Sequence, residues 1–411
     1  LFEAMRGFPG AREQRRKMPL SPFDPEAATA AYLATLRAAE LARAIAYTRG
    51  SHWLLLMGSL VSVFSCWLII RSRLLVRLRG RMKSPNLAVF LCTILFFGLD
   101  WVIRSPFFAY DWWRDGQYGL TKQPMAGWLT QSLAMSAINA LCSGLLALAL
   151  YALIRRTSRW WAWSGLVTVT AIFTVVLVTP VAIEPLFNRY EAAPAGPTRE
   201  AISALARSSD IPADDIVVYD GSRQSERYTA RVSGILSTAR IAISDTMLQQ
   251  GADISEIRAV VGHEIGHYAR GHILITVVVY SLLAIWLFAL VDRLFPMLLR
   301  RLDRRQEIAG LADPAGIPVV MILIAVLSLF ATPLINTMIR MQELDADRFS
   351  LEHAREPDGM ARALIKSTAY RAPSPAWMEE ILFYDHPSVE RRVRNAMHWR
   401  KVTAPIASSR R

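Results

Sequence analysis

Six apolar runs govern what this sequence can become: residues 53–70, 87–103, 133–154, 160–183, 273–291 and 317–335. Each approaches or exceeds the ~18 residues that carry a helix across a bilayer. A segment in hydrocarbon must satisfy its own backbone hydrogen bonds, so each run is confined to helix. The expected fold is mainly α, a polytopic membrane protein whose environment is the lipid bilayer. Hydrophobic residues fill 53% of the 411 positions, and it is their clustering that excludes a set of ordinary soluble domains.

The formal charge of +13 could suit a nucleic-acid binder, but no basic recognition motif accompanies it, so no nucleic acid is expected as a partner. The arginines crowd three short loops, 71–83, 155–159 and 293–305. The positive-inside rule puts these in the cytoplasm. Residues 188–267 and everything after 336 then lie on the other side, outside the inner membrane if the source is bacterial. Cys66, Cys92 and Cys142 all fall in apolar runs and read as small buried hydrophobes. They offer neither a disulfide framework nor a zinc site.

Residues 1–52 form a polar and then Ala-rich N-terminal segment, with 25–48 reading as a surface helix. Residues 53–191 hold four spans, the fourth kinked or ended at Pro180. A linker at 192–198 opens a soluble α/β segment, 192–272, with short strands at 216–219, 228–235 and 240–244. Residues 273–337 are a two-span hairpin, and 338–411 a helical C-terminal segment. Asp253 and Glu256 have capping-box spacing, so a helix should start near Ile254 and run unbroken into the fifth span. A chain that begins at Leu1 reads as a processed or trimmed product.

That helix carries His263-Glu264-Ile265-Gly266-His267. Two imidazoles four residues apart share a helical face and can take two corners of a tetrahedral Zn²⁺ site, with Glu264 within reach of a metal-bound water as general base. A catalytic zinc needs a third protein ligand and an open position. Glu343 is the candidate, because the hairpin returns the chain to the membrane face it left. Asp347, one turn further on, can accept a hydrogen bond from a ligand imidazole. Asp345 faces elsewhere and reads as surface, and His272 reads as a membrane-interface residue. His386, in the turn Phe383-Tyr384-Asp385-His386-Pro387, is either a surface histidine or a stabiliser of a developing oxyanion.

Two other function classes fit less well. A structural zinc in a binding protein would fill all four positions with protein ligands, and only three candidates are present. A transporter would place charges mid-span, where these runs have almost none.

Five segments resemble the integral-membrane CAAX prenyl endopeptidases, zinc metalloproteases of the gluzincin kind. Q-Y-G-L-T at 117–121 is similar to the family's K/R-x-G-F/L-N/S, and E-P-L-F-N at 184–188 to A-P-L-F-N. V-G-H-E-I-G-H-Y-A-R-G-H at 261–272 is similar to the zinc helix. P-L-I-N at 333–336, Arg340 and E-L-D-A-D-R-F at 343–349 match P-x-x-N, R and E-x-x-A-D-x-F; His386-Pro387 with Glu390-Arg391 matches H-P-x-x-x-R. The resemblance covers most of the chain from about Tyr47 onward.

It implies a helical barrel enclosing an intramembrane chamber, with a small soluble α/β zinc-metalloprotease domain at one end. It implies seven helices, one more than the runs counted here, which would put the extra helix ahead of residue 1. One Zn²⁺ per chain would sit on His263, His267 and Glu343, with Glu264 as base. Asp347 matches a residue sometimes assigned as proton donor, though an orienting role suits it better. Arg340 and Asn336 would support the carboxylates, and His386 would line the cleft. The substrate would be a peptide or protein that is membrane-associated or prenylated near its C-terminus, paired by β-addition to a strand. Where the family has N-A-Y on that strand, this chain has Thr229-Ala230-Arg231, and Ile339 replaces the Ser expected before Arg340. A broader-specificity quality-control membrane protease is the nearest alternative, from which the four-span N-terminal half differs. The eukaryotic relatives are understood to face the cytosol, opposite to what the basic loops indicate here.

Overall fold

The structure, a computed structural model, describes residues 23–209, 216–233, 240–304 and 306–403. A short helix α1 (Pro25–Leu33) precedes α2 (Ala38–Ser72). The surface helix expected over 25–48 is thus divided. Its second part extends the first membrane helix inward, with Ala44, Tyr47 and Thr48 buried. After the basic turn α3 (Leu74–Gly80), α4 (Pro85–Gln117) opens with Pro85 at its first position and Ser84 Oγ accepting from Leu87 N. α5 (Met125–Arg156) and α6 (Trp160–Val178) follow, and Cys142 on α5 is exposed, not buried. At Pro180 the helix widens into one π turn, Thr179–Ile183, before α7 (Glu184–Phe187). The missing proline N–H is absorbed there without ending the helix.

The chain then builds β1 (Tyr190–Ala192), α8 (Pro197–Ser208), β2 (Ile216–Tyr219), β3 (Ala230–Ser233) and β4 (Arg240–Ser244). The sheet order is β1-β2-β4-β3; β2 and β4 are parallel and the outer pairs antiparallel. The second expected strand begins at Ala230 rather than at residue 228, and its positions 234 and 235 lie outside the described residues; β1 is an addition to the expected strands, and β3 stands at the edge of the sheet among the described residues. After α9 (Asp245–Gln249), α10 (Ile254–Ala269) lays Ile257, Val261 and Ile265 on the sheet against Ile216, Ile241 and Ile243. Those three residues recur every four positions, one stripe of a helix.

The helix does not run on into the fifth span as expected. Gly271, at φ 61°, turns the chain left-handed, and α11 (His272–Arg301) starts afresh. Glycine enters that region without the Cβ penalty other residues meet. α12 (Ile317–His353), α13 (Pro357–Lys366), α14 (Trp377–Phe383) and α15 (Val389–Thr403) complete the chain.

Six helices among the described residues are long and apolar enough to span a membrane. They close a ring: α2 packs on α4, α4 on α5, α5 on α6, α6 on α11, α11 on α12, and α12 back on α2. Only 6–28% of the residues in each apolar window are buried. The buried residues are concentrated at one end of the ring, where Phe96, Tyr151, Phe295 and Val319 share a core. The basic loops gather at one end, where Arg73 meets Glu307 at 2.7 Å and Arg79 pairs with Asp313. The sheet and α10 sit at the other.

Candidate active site

Gly266 sets how closely α10 approaches α12. A Cβ there would lie 3.0 Å from Phe349 Cβ and 3.1 Å from Ala346 Cα. One turn away, Ser350 Oγ donates to the Ala259 carbonyl at 2.7 Å. This contact carries Glu343 onto the face that holds both imidazoles.

His263 Nε2 stands 3.2 Å from His267 Nε2 and 3.2 Å from Glu343 Oε2, and His267 Nε2 is 3.2 Å from Glu343 Oε1. Ligands placed tetrahedrally about 2.0–2.1 Å from zinc lie about 3.3–3.4 Å apart. Glu343 Oε2 is buried and accepts no hydrogen bond, with His263 Nε2 at 3.2 Å and Arg392 Nη1 at 3.6 Å as its cationic neighbours, so it keeps a lone pair for a metal ion. The three side chains therefore fit a zinc ion, and the metal-holding group found among the described residues consists of these three. That leaves a fourth position open, as a catalytic site requires.

The outer ring nitrogens are tied back. Asp347 Oδ1 is 2.9 Å from His263 Nδ1. Arg392 clamps Asp347 with Nε on Oδ2 at 2.7 Å and Nη2 on Oδ1 at 2.6 Å, the two-pronged geometry that makes guanidinium–carboxylate pairs strong. His267 Nδ1 is 2.9 Å from His272 Nδ1, and His272 Nε2 is 3.2 Å from Asp345 Oδ2. His272 is buried at the first residue of its membrane helix, and Asp345, whose side chain stays partly exposed, also meets its ring.

Burial works against a charged His263, but the carboxylates of Glu343 and Asp347 outweigh it and push the imidazole up to about 10. Burial raises the Glu264 carboxyl above its usual range, against the pull of His263 and His267. Glu264 lines the same cleft as His263 and Glu343, with Thr229, Ala230, Tyr370 and His386. His386 Nε2 lies 3.4 Å from Glu343 Oε2, and its Nδ1 2.8 Å from Asp385 Oδ1.

Arg340 and Asn336 lie elsewhere than expected. Arg340 Nη1 donates to the carbonyls of Glu380 at 2.8 Å and of Tyr384, and Asn336 Nδ2 to that of Leu382 at 3.3 Å. The last carbonyls of a helix lack intrahelical partners, and these two side chains supply them at the C-terminus of α14. They hold the turn that carries His386 and do not touch Glu343 or Asp347. Arg231 also points away. Its Nη2 donates to Tyr190 Oη at 2.5 Å, since alternate residues of a strand face opposite sides.

Sequence reasoning missed Arg392 and singled out Arg391, whose guanidinium lies 3.6 Å from Glu380. The signal was present: the buried stripe of α15 is Val389, Val393, Ala396 and Met397. Residue 392 falls at the edge of that stripe, and residue 391 faces the opposite side of the helix.

Residues 193–400 match peptidase family M48, and residues 25–189 match the CAAX prenyl protease N-terminal region with five membrane helices. The chain belongs to peptidase family M48. It is a membrane metalloprotease, a hydrolase of peptide bonds. This M48 chain is 27% identical over 368 residues to the uncharacterized metalloprotease YhfN of Bacillus subtilis, covering 88% of this chain and 86% of that one. It is 38% identical over 120 residues to the CAAX prenyl protease 1 homolog of Arabidopsis thaliana, 29% of this chain and 27% of the relative. Against the human CAAX prenyl protease 1 homolog it is 24% identical over 274 residues, 54% and 55% of the two lengths. The fold is that of S. mikatae Ste24p, with a TM-score of 0.72 at 19% identity over 88% of this chain and 89% of that one.

Proposed function

We propose that this M48 protease holds one Zn²⁺ on His263, His267 and Glu343 and cleaves peptides that are membrane-associated or lipidated near their C-termini. The observation that carries the reading is the convergence of three ligand atoms beside Glu264, in a cleft also lined by Thr229 and by Ala230 of β3, the edge strand among the described residues. Zinc held there would supply Lewis-acid polarisation of a scissile carbonyl and would lower the pKa of water. Glu264 would act as the general base, taking a proton from the attacking water and returning it to the leaving amine. Asp347 holds His263 with its Nε2 lone pair facing inward. His386, steadied by Asp385, is set to donate to the oxygen that becomes charged.

The substrate backbone pairs with β3, whose other edge is taken by β4. Thr229 and Ala230 meet it, while Arg231 faces the opposite side of the sheet. Gathering of the three basic loops at the far end supports an active site on the extracytoplasmic side.

The absence of the family's N-A-Y side chains favours a second reading, a broader-specificity quality-control protease in the same membrane. Cleavage of matched peptides with and without a C-terminal prenyl group, by purified enzyme in lipid, separates the two. Preference for the lipidated peptide supports the first reading. Equal turnover of unlipidated and misfolded membrane substrates supports the second.

A further inference from the structure

We propose that His272 and Asp345 form a positioning relay that fixes the tautomer and orientation of His267; the inference rests on the zinc reading above. In an unbroken helix residue 272 would lie about 140° around the axis from residue 267. The left-handed Gly271 cancels that offset. His272 opens α11 with its ring folded back on His267, the centroids 4.9 Å apart and the planes at 75°. Gln342 Nε2 fastens this start, donating to the His272 carbonyl at 3.3 Å and to Thr276 Oγ1 at 3.2 Å.

The hydrogen-bond directions are determined from the far end. An ionised carboxylate only accepts, so His272 carries its proton on Nε2, 3.2 Å from Asp345 Oδ2. Its Nδ1 then holds a lone pair and accepts from His267 Nδ1–H at 2.9 Å. His267 is left with its Nε2 lone pair aimed at the position between His263 and Glu343. The reverse tautomer would point an N–H at the metal. Buried polar atoms are expected to be paired, and both ring nitrogens of His272 are. Each ligand imidazole therefore ends on a carboxylate of α12: His263 directly on Asp347, and His267 through a second imidazole on Asp345. Arg270 Nε, 3.7 Å from Asp345, steadies the outer end.

The test is the zinc dissociation constant of the full chain in detergent, measured by chelator competition. Loss of an orienting partner weakens metal affinity about 10–100-fold, and that is the expected effect of His272→Ala. His272→Gln, whose amide can accept from His267 and donate to Asp345, should recover most of it. Asp345→Ala should weaken binding several-fold alone and add nothing in the His272→Ala background, because both act through one path. A His272→Ala constant equal to wild type, or effects that multiply independently, would overturn the relay. Asp345 is partly exposed, so Asp345→Ala carries the test if His272→Ala does not fold; unchanged affinity in it overturns the proposal. Failure of the wild type to bind zinc, or binding indifferent to His263→Ala, overturns the zinc reading and the relay together. Wild-type binding with indifferent His272 and Asp345 variants overturns the relay alone.

Discussion

Asp347 joins α12 to both α10 and α15: its Oδ1 lies 2.9 Å from His263 Nδ1, while its two oxygens receive the guanidinium of Arg392. All three side chains are largely withdrawn from solvent. Breaking one member of a buried pair costs about 3–5 kcal/mol, because the other charge stays behind unpaired. Arg392→Ala is expected to lower the free energy of unfolding by that amount, read as an earlier midpoint in denaturant at unchanged slope. Arg392→Lys should recover only part, since an ammonium cannot make the two-pronged contact.

Gly266 is where α10 and α12 touch backbone to backbone. A methyl there must push Phe349 and Ala346 away, moving Glu343 off the imidazoles. Overpacking of this kind costs about 1–3 kcal/mol, so Gly266→Ala should lose stability and zinc together. Gly98, whose Cβ would meet nothing within 4 Å, is the control. Gly98→Ala should be neutral or slightly stabilising.

Zinc binding should depend steeply on pH. In the metal-free protein burial opposes the His263 imidazolium, but Glu343 and Asp347 keep it protonated up to about 10. A metal must displace that proton, so affinity rises with pH, by about tenfold per unit for one proton released. Calorimetry in buffers of different ionisation enthalpy counts the protons. A dissociation constant flat between pH 6 and 8 would contradict this electrostatic picture.

Sidedness can be read by labelling. In a Cys142→Ser background, Glu200→Cys on α8 should react with an impermeant maleimide added outside right-side-out vesicles, and Arg81→Cys in the first basic loop should not. The reverse pattern would place the active site in the cytoplasm.

The ring of membrane helices is legible in the sequence because hydrocarbon leaves a long apolar run one conformation. The meeting of His263, His267 and Glu343 is legible for a related reason. Helical period sets the first two on one face, and a hairpin of two spans must return the third to the same end. What depends on single dihedrals or on docking is not legible. His272 joins His267 only because Gly271 is left-handed, and a helix read as continuous sends it elsewhere. Arg340, three residues before Glu343, is spaced along the helix to support it, but the carbonyls at the end of α14 take its guanidinium. Arg392 arrives from a helix whose rotation is set by Val389, Val393 and Met397, so the choice between it and Arg391 needs the buried stripe of α15.

The most direct test of the central claim is Glu264→Gln, assayed for bound zinc and for peptide cleavage on the same preparation. The side chain keeps its shape and loses its capacity to take a proton. The account predicts about one zinc per chain, as in wild type, with cleavage reduced by about 10²–10⁴-fold. Retention of zinc with full cleavage would contradict it.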